Sequence, residues 1–246
     1  MSDSAIGMRR RRAARRLGFG ATVLVAALGG AGAFVLWGPA ARQHAAAPVP
    51  VASSPASAQS SSPPAGAAGI PAVLPAPQRV VQGVPVGYPH TAAGAISAGA
   101  HYMESVDVLS PDTLVSQLKV MAASQGDLGT LAGTWGVELQ ERRQSLGLPP
   151  TGTSDGSDFV SVQAGGYQIV SLTADRVQMW LLASETTTLA GVQHAPQIYT
   201  LPVAVQWADG DWKLAAVADA GPAPASATPD TQQAQDLGWT SVAYAN

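Results

Sequence analysis

The chain has 246 residues, of which 46% are hydrophobic, 12% charged and 6% aromatic. A chain of this length accommodates one or two domains, and its mean hydropathy of +0.13 is high for a wholly soluble protein. It contains no cysteine. This excludes disulfides, thiol nucleophiles, zinc–thiolate sites and iron–sulfur clusters.

The net charge of −3 is distributed unevenly along the chain. Residues 1–16 contain six arginines and one aspartate, so this basic tail carries a charge of +5. Residues 17–38 have no charged side chain, whereas residues 39–246 contain seven basic and fifteen acidic residues, a charge of −8. The charge therefore divides the chain into a basic tail, a neutral stretch and an acidic remainder.

The neutral stretch has the properties of a membrane-spanning helix. Leu17 to Trp37 is a run of 21 uncharged, mostly apolar residues, and as a helix it would span about 30 Å, the thickness of a bilayer's hydrocarbon core. Because arginines flank its N-terminal end, the positive-inside rule places residues 1–16 in the cytoplasm. We therefore predict a cell-membrane protein with a single transmembrane helix, residues 17–38, in contact with the lipid bilayer, and an extracytoplasmic C-terminal domain.

Three other interpretations of the N-terminal region were weighed. A cleavable signal peptide, with a site at Ala45-Ala46-Ala47, is disfavoured because apolar signal regions typically have about 7–15 residues. A twin-arginine export signal at Arg15-Arg16 is disfavoured because the apolar residues that follow do not have the usual order. Membrane topology and attraction to anionic lipids already explain the arginine cluster. No nucleic-acid partner is therefore predicted.

The remainder of the chain is predicted to contain a linker, a domain and an extension. Between residues 39 and 89 lie eleven of the nineteen prolines, mixed with Ala, Ser and Gly. Such a segment lacks the apolar bulk to form a core, so we interpret residues 39–84 as a disordered, partly polyproline tether. The α+β ectodomain is assigned to residues 85–218. Residues 219–246 form a C-terminal extension, which can dock onto the domain through Leu237, Trp239 and Tyr244.

Three helices are predicted in the first part of the ectodomain. The first follows the N-cap Thr91 and has apolar or small residues at helical spacing as far as Val106. The second begins at Pro111, a residue type favoured in the first turn, and ends at Gly126. The third is capped by Asp127. The predicted apolar faces are Leu114, Val115, Leu118 and Met121 in the second helix, and Leu128, Leu131, Trp135 and Leu139 in the third.

From Asp158 onward the pattern is that of antiparallel strands. Apolar and polar residues alternate on both sides of Gly165-Gly166, which we interpret as a tight hairpin turn. Another strand follows Asp175. Two more strands flank Asp209-Gly210, a strong hairpin signal. Pro202 inside the fourth strand indicates an edge, a bulge or a bend.

Helices followed by an antiparallel meander predict an α+β fold with the helices packed on a curved sheet. The last hairpin, Val203 to Val217, consists of an apolar strand, an Asp-Gly turn and a Trp-Lys-apolar strand. In this it resembles the nuclear-transport-factor-2-like (cystatin-like, cone-shaped) superfamily. The segment Gly87-Tyr88-Pro89-His90-Thr91 resembles an uncharacterised family of actinobacterial single-span membrane proteins. These resemblances imply a cone-shaped domain over about residues 85–218.

Candidate catalytic groups are few, and no catalytic, cofactor or metal site is predicted. His101 and Glu104 share a helix face, and we interpret them as a surface pair at the helix end. His90 is expected to cap the first helix or to bind the linker backbone. The sequence contains no nucleophile elbow, P-loop or dinucleotide-binding glycine motif. Six aromatic residues are the candidate pocket or interface residues, with packing in the core as the other interpretation: Tyr88, Tyr102, Trp135, Trp180, Trp207 and Trp212.

The predicted topology resembles that of the bitopic scaffold subunits of conjugation and type IV secretion machines. The resemblance implies a non-enzymatic assembly or accessory component of an envelope-spanning apparatus, with other envelope proteins or further copies of the chain as partners. Two alternatives remain open. One is a tethered binding module for a small apolar or cell-wall ligand, and the other is a pocket enzyme of the isomerase or dehydratase type. No cofactor is predicted in any of these cases.

Overall fold

The structure, a computed structural model, describes residues 69–152 and 157–245. Its helices are α1 (Ala92–Ser105), α2 (Pro111–Met121), α3 (Gln125–Ser145) and α4 (Gln232–Asp236). Its strands are β1 (Arg79–Val81), β2 (Val84–Val86), β3 (Phe159–Leu172), β4 (Arg176–Leu189), β5 (Val192–Gln193), β6 (Gln197–Ala208), β7 (Asp211–Ala215) and β8 (Thr240–Ser241). Within these ranges no helix combines the length and the apolar character needed to cross a membrane. The predicted transmembrane helix, residues 17–38, lies outside the described residues.

Helices packed against an antiparallel sheet make up the domain, as predicted for an α+β fold. The main sheet has the strand order β7-β6-β4-β3-β8, with β5 paired to β4, and every pair is antiparallel. A separate hairpin consists of β1 and β2. Helix α1 packs against β3, β4, β6 and β7. We call the side of the sheet that α1 contacts its inner face, and the opposite side its outer face.

Small residues let α1 lie close to the sheet and to the preceding loop. Its N-cap is Thr91, as predicted, and the Thr91 hydroxyl accepts a hydrogen bond from the N–H of Gly94 at 3.1 Å. A Cβ atom at Gly94 would lie 2.0 Å from the Pro89 carbonyl oxygen, and one at Gly99 would lie 2.2 Å from the Met179 Cε. Gly94 is therefore required by its close approach to backbone, which outweighs its low helix propensity, whereas at Gly99 the flexible end of the Met179 side chain would have to move.

The junction between α2 and α3 differs from the prediction. Helix α2 begins at Pro111 as expected but ends at Met121, ahead of the predicted terminus at Gly126. The N-cap of α3 is Ser124, whose hydroxyl accepts from the N–H of Asp127 at 3.1 Å. The Asp127 carboxylate also accepts from the backbone N–H of Ala216 at 2.7 Å, so it ties α3 to the end of β7. The predicted apolar face of α2 is also partly wrong, since Val115 is 42% exposed.

The predicted turn at Gly165-Gly166 is wrong, because both glycines lie inside the continuous strand β3. A bulge between Ala164 and Gly166 shifts the register of β3 against β4 by one residue. The alternation of apolar and polar residues therefore continues on both sides of the bulge, with its phase shifted by one residue. A Cβ atom at Gly165 would lie 2.5 Å from the side chain of Pro229. The glycine pair therefore serves the close approach of a segment distant in the sequence.

The hairpin between β6 and β7 has the predicted geometry. Asp209 and Gly210 have φ angles of 53° and 77°, the left-handed pair that a two-residue type I′ turn requires. β7 pairs with β6 only from Ala204 to Ala208. Pro202 pairs with β4 on one side and lies beyond the end of β7 on the other. The edge position predicted for this proline is therefore confirmed.

The folded region begins earlier than the predicted boundary at residue 85. The side chain of Leu74 is buried, its N–H donates to the Ala243 carbonyl at 2.7 Å, and its carbonyl accepts from the N–H of Ala245 at 3.0 Å. The β1–β2 hairpin also precedes this boundary in part. The Pro-rich composition concealed this segment because its pairing partner lies about 170 residues away in the sequence. Residues 39–68 of the predicted linker lie outside the described residues.

The C-terminal extension covers the outer face of the sheet. Trp239 is buried against Trp180 and Leu182 in a small apolar cluster that is separate from the main core. The Trp239 indole N–H donates to the Ala225 carbonyl at 2.9 Å. Of the three residues proposed to dock this extension, Trp239 and Tyr244 contact the domain, whereas Leu237 is 39% exposed. The extension therefore forms a second layer on the sheet.

Candidate functional site

A small cavity lies where the C-terminal end of α1 and helices α2 and α3 meet the inner face of the sheet. Its volume is about 60 Å³, which is room for about four to six water-sized groups. This is well below the volume of about 300 Å³ at which pockets for drug-sized ligands begin. Most of its lining is apolar and includes Met103, Val106, Trp135, Leu139, Val162 and Leu201.

One wall of this cavity is polar. Glu138 and Arg142 come from α3, and Glu185 and Tyr199 come from β4 and β6. The Arg142 guanidinium forms an ion pair with the Glu185 carboxylate, and the two side chains are 19% and 8% exposed. The Tyr199 hydroxyl donates to Glu185 as well. Because Glu185 is satisfied by both partners, the polar wall is a fixed feature of the cavity.

Glu138 is the group in this wall with the most altered acidity. Burial raises the pKa of Glu138 to about 7, against the opposing effect of the neighbouring Arg142 guanidinium and with a smaller contribution from the negative charge of Glu141. Burial likewise raises the pKa of Tyr199. Ionisable groups with shifted acidity in a cavity are typical of functional sites, although structural networks produce them too.

Local geometry explains why these side chains meet. Glu138 and Leu139 each lie three or four residues from both Trp135 and Arg142, so the four side chains project from one side of α3. On the sheet, Val162 and Glu185 are directly paired across β3 and β4, which brings their Cβ atoms to within about 5 Å. The cavity therefore forms where an apolar helix face with two embedded charges faces a strand pair with a buried carboxylate.

The six predicted aromatic residues do not form a single site. Tyr88 and Tyr102 have ring centroids 6.2 Å apart, and those of Trp207 and Trp212 are 5.5 Å apart. The Tyr102 hydroxyl joins the two pairs by donating to the Trp212 carbonyl at 2.5 Å. Two members of the set lie elsewhere: Trp135 lines the cavity, and Trp180 packs under the C-terminal extension. Only Trp135 contributes to the cavity.

His101 and Glu104 do not form the predicted surface pair. The Glu104 carboxylate accepts from the backbone N–H of Ala164 at 2.9 Å and from the Tyr244 hydroxyl at 3.1 Å. Burial raises the pKa of Glu104, while its hydrogen bond from Ala164 opposes the shift. The His101 ring packs on the ring of Tyr244 with centroids 4.0 Å apart, and its Nδ1 lies 2.9 Å from the Ser97 carbonyl. These two residues therefore anchor the end of the extension to α1.

Within residues 69–152 and 157–245, the His90 side chain hydrogen-bonds neither to the N-terminus of α1 nor to the linker residues described. Its Nε2 lies 2.8 Å from the Asp175 carboxylate and 3.1 Å from the Ala174 carbonyl. Its ring stacks on Trp207, with centroids 4.1 Å apart and an interplanar angle of 10°. The prediction of a capping role is therefore wrong, because Thr91 is the N-cap of α1 and the His90 side chain binds the turn between β3 and β4.

The charged residues of the cavity wall, Glu138, Arg142 and Glu185, were not among the predicted site residues. A signal for two of them is present in the sequence, since Glu138 and Arg142 flank Leu139 on the predicted apolar face of α3. Charged residues within an apolar helix face are buried only when they have partners. Glu185 lies in a strand segment without strong alternation, and its partner comes from a different element.

A match to a protein family covers most of the chain. No functionally curated protein matches it. Among solved structures, the crystal structure of the intermembrane space region of the chloroplast protein ARC6 is 15% identical. That similarity covers 51% of this chain and 90% of the other, with a TM-score of 0.30. Residues 40–240 match the domain of unknown function DUF8175, so the chain belongs to the DUF8175 family.

Proposed function

We propose that this protein is a membrane-anchored, non-enzymatic assembly component of an envelope-spanning apparatus of the conjugation or secretion type. In this proposal residues 17–38 anchor it in the cell membrane, with the N-terminus in the cytoplasm and the α+β domain outside. The domain resembles the cone-shaped superfamily in its final hairpin, Val203 to Val217. It acts by binding other envelope proteins or further copies of the chain.

The size and lining of the cavity carry this proposal. A space for about four to six water-sized groups fits one side chain of a partner protein. Its apolar residues would bury such a side chain, and burial of one large apolar side chain contributes about 1.5–3 kcal/mol. Interfaces commonly concentrate their binding energy in a few anchors of this kind. The cavity is smaller than the pockets that typically enclose drug-sized ligands.

Site-specific crosslinking in native membranes tests this function. A photo-reactive amino acid replaces Val108, a half-buried residue that lines the cavity. The matched control replaces Val80, which is 66% exposed and lies in β1, away from the cavity. We expect adducts with defined peptides of an envelope protein or of a second copy from position 108, and none of these from position 80. Identical adduct patterns from the two positions, or none from position 108, would contradict the proposal.

A tethered binding module for a small apolar ligand is the second candidate function. The apolar part of the cavity lining, including Trp135 and Leu139, favours it. Native mass spectrometry of the full chain, released from the membrane under mild conditions, would detect a ligand that remains bound. A single small species of constant mass, lost on substitution of Leu139 by a larger residue, would favour this function over partner docking.

A further inference from the structure

The polar wall of the cavity contains two carboxylates and one cation. We propose that the group it receives is a lysine side chain of a partner protein, with its methylene stem on the apolar lining and its ammonium beside Glu138. This inference rests on the proposed docking function and names the chemistry of the docked residue.

The charge balance favours a cationic guest. Arg142 is committed to Glu185, which also accepts from Tyr199. Glu138 lies one helical turn before Arg142 and forms no ion pair with another side chain within residues 69–152 and 157–245. With both carboxylates ionised, the wall therefore carries one negative charge in excess. An arriving cation would neutralise it, whereas an anion would be repelled.

The volume distinguishes lysine from arginine and from larger cations. A lysine side chain has five heavy atoms beyond Cα, and an arginine side chain has seven. A cavity of about 60 Å³ holds about four to six groups of this size. The apolar lining suits the four methylenes of lysine, which commonly pack along apolar surfaces while the charged head reaches a polar one. Trp135 adds an aromatic ring on which a cation is favoured.

The desolvation of Glu138 also favours a lysine side chain. A buried carboxylate without a counter-charge is costly to ionise, and burial raises the pKa of Glu138 even though Arg142 is close. Arg142 and Glu141 on its own helix and Glu185 and Tyr199 on the sheet are the charged and titratable groups around it. A purely apolar guest would remove more water from Glu138 and add no charge, whereas an ammonium would restore the ionised form.

Two small probes of equal length test the charge requirement. n-Butylammonium reproduces the lysine side chain, and 1-butanol is its neutral counterpart. Binding to the full chain in nanodiscs of zwitterionic lipid is followed by ligand-observed NMR for the wild type, Glu138→Gln and Glu141→Gln. Glu141 is exposed on the same helix, so its variant makes the same charge change outside the cavity. We expect Glu138→Gln to weaken n-butylammonium binding about 10- to 100-fold and Glu141→Gln, whose charge makes only a smaller contribution at Glu138, to weaken it far less.

The outcomes separate this inference from the docking function. Equal n-butylammonium binding to the wild type and to Glu138→Gln, or stronger binding of 1-butanol, overturns the lysine assignment. In membranes, crosslinks from position 108 that map beside a partner lysine, disappear in Glu138→Gln and persist in Glu141→Gln support it. Crosslinks that persist in both variants overturn the lysine assignment but leave the docking function standing. An absence of crosslinks from position 108 in the wild-type background overturns the docking function itself.

Discussion

Replacement of Glu138 by glutamine should stabilise the domain at alkaline pH and change it little at acidic pH. In the folded state burial raises the pKa of Glu138 from its ordinary value of 4.5 to about 7. Between these two values the folded chain keeps a proton that the unfolded chain has released. Stability therefore falls as the pH rises through this window, and the full loss is present above about pH 7. Glutamine does not ionise, so the variant escapes this loss.

The magnitude follows from the size of the pKa change. A displacement from 4.5 to about 7 corresponds to roughly 3 kcal/mol at about 1.4 kcal/mol per pH unit. Glu138 is only half-buried, and solvent screens part of this effect, so we expect a gain of about 1–2 kcal/mol for Glu138→Gln at pH 8. At about pH 4.5 the glutamate is protonated in the folded state and about half protonated in the unfolded state, so the gain should fall below about 0.5 kcal/mol.

Urea unfolding of the purified chain at the two pH values measures this difference. Tryptophan fluorescence reports it, because Trp212 is fully buried and becomes exposed on unfolding. Glu141→Gln is the control, since the same charge is removed from an exposed site on α3. The reasoning would be refuted if Glu138→Gln gave the same change in stability at both pH values, or if Glu141→Gln gave the larger pH-dependent gain.

Two further predictions concern the packing of the domain. Gly94→Ala should destabilise it by more than about 2 kcal/mol, because the new Cβ atom would lie 2.0 Å from the Pro89 carbonyl oxygen. Gly133→Ala on α3 meets no atom within 4 Å and should stabilise by about 0.5–1 kcal/mol; thermal unfolding that ranked the two variants in the opposite order would contradict both assignments. Asp211→Ala should cost about 3 kcal/mol in urea unfolding, since this buried carboxylate accepts three backbone N–H bonds. A change below 0.5 kcal/mol would show that the three donors find other partners.

The sequence predicted correctly several elements whose structure depends on residues that are adjacent in the sequence. The start of α1 at Thr91 and the turn at Asp209-Gly210 both depend on neighbouring residues alone. Both have the predicted structure. The glycines at 165 and 166 gave the same kind of signal for a different reason. At Gly165 the missing side chain makes room for Pro229, which a pattern of neighbouring residues does not reveal. The long-range contact at Gly165 was therefore predicted wrongly, and so was one local feature, since the N-cap of α3 is Ser124 rather than Asp127.

The candidate site was predicted only in part for the same reason. Trp135 was among the predicted residues because it lies on an apolar helix face, whereas the neighbouring charges were not. The burial of Glu138 and Arg142 depends on Glu185, which reaches α3 only after β4 has paired with β3 and β6. For His101 and Glu104, the sequence predicted a local contact and the structure has a long-range one. Their spacing predicted a mutual pair, and the extension instead supplied Tyr244 as the partner of both.

The bonds that join Leu74 to residues 243–245 have a mechanical consequence. The two segments form a parallel bridge, held by one hydrogen bond from Leu74 and one to it. Tension on the N-terminal segment is carried by this bridge, by the packing of Ile70 against the core and by the hydrogen bond from the Ser97 hydroxyl to the Pro75 carbonyl. Tyr244 belongs to the same C-terminal segment, and its hydroxyl donates a hydrogen bond to the carboxylate of Glu104 in α1. A pull on one end of the folded region is thus resisted in part by the other end, and loss of residues 243–245 would remove the two backbone hydrogen bonds that hold Leu74.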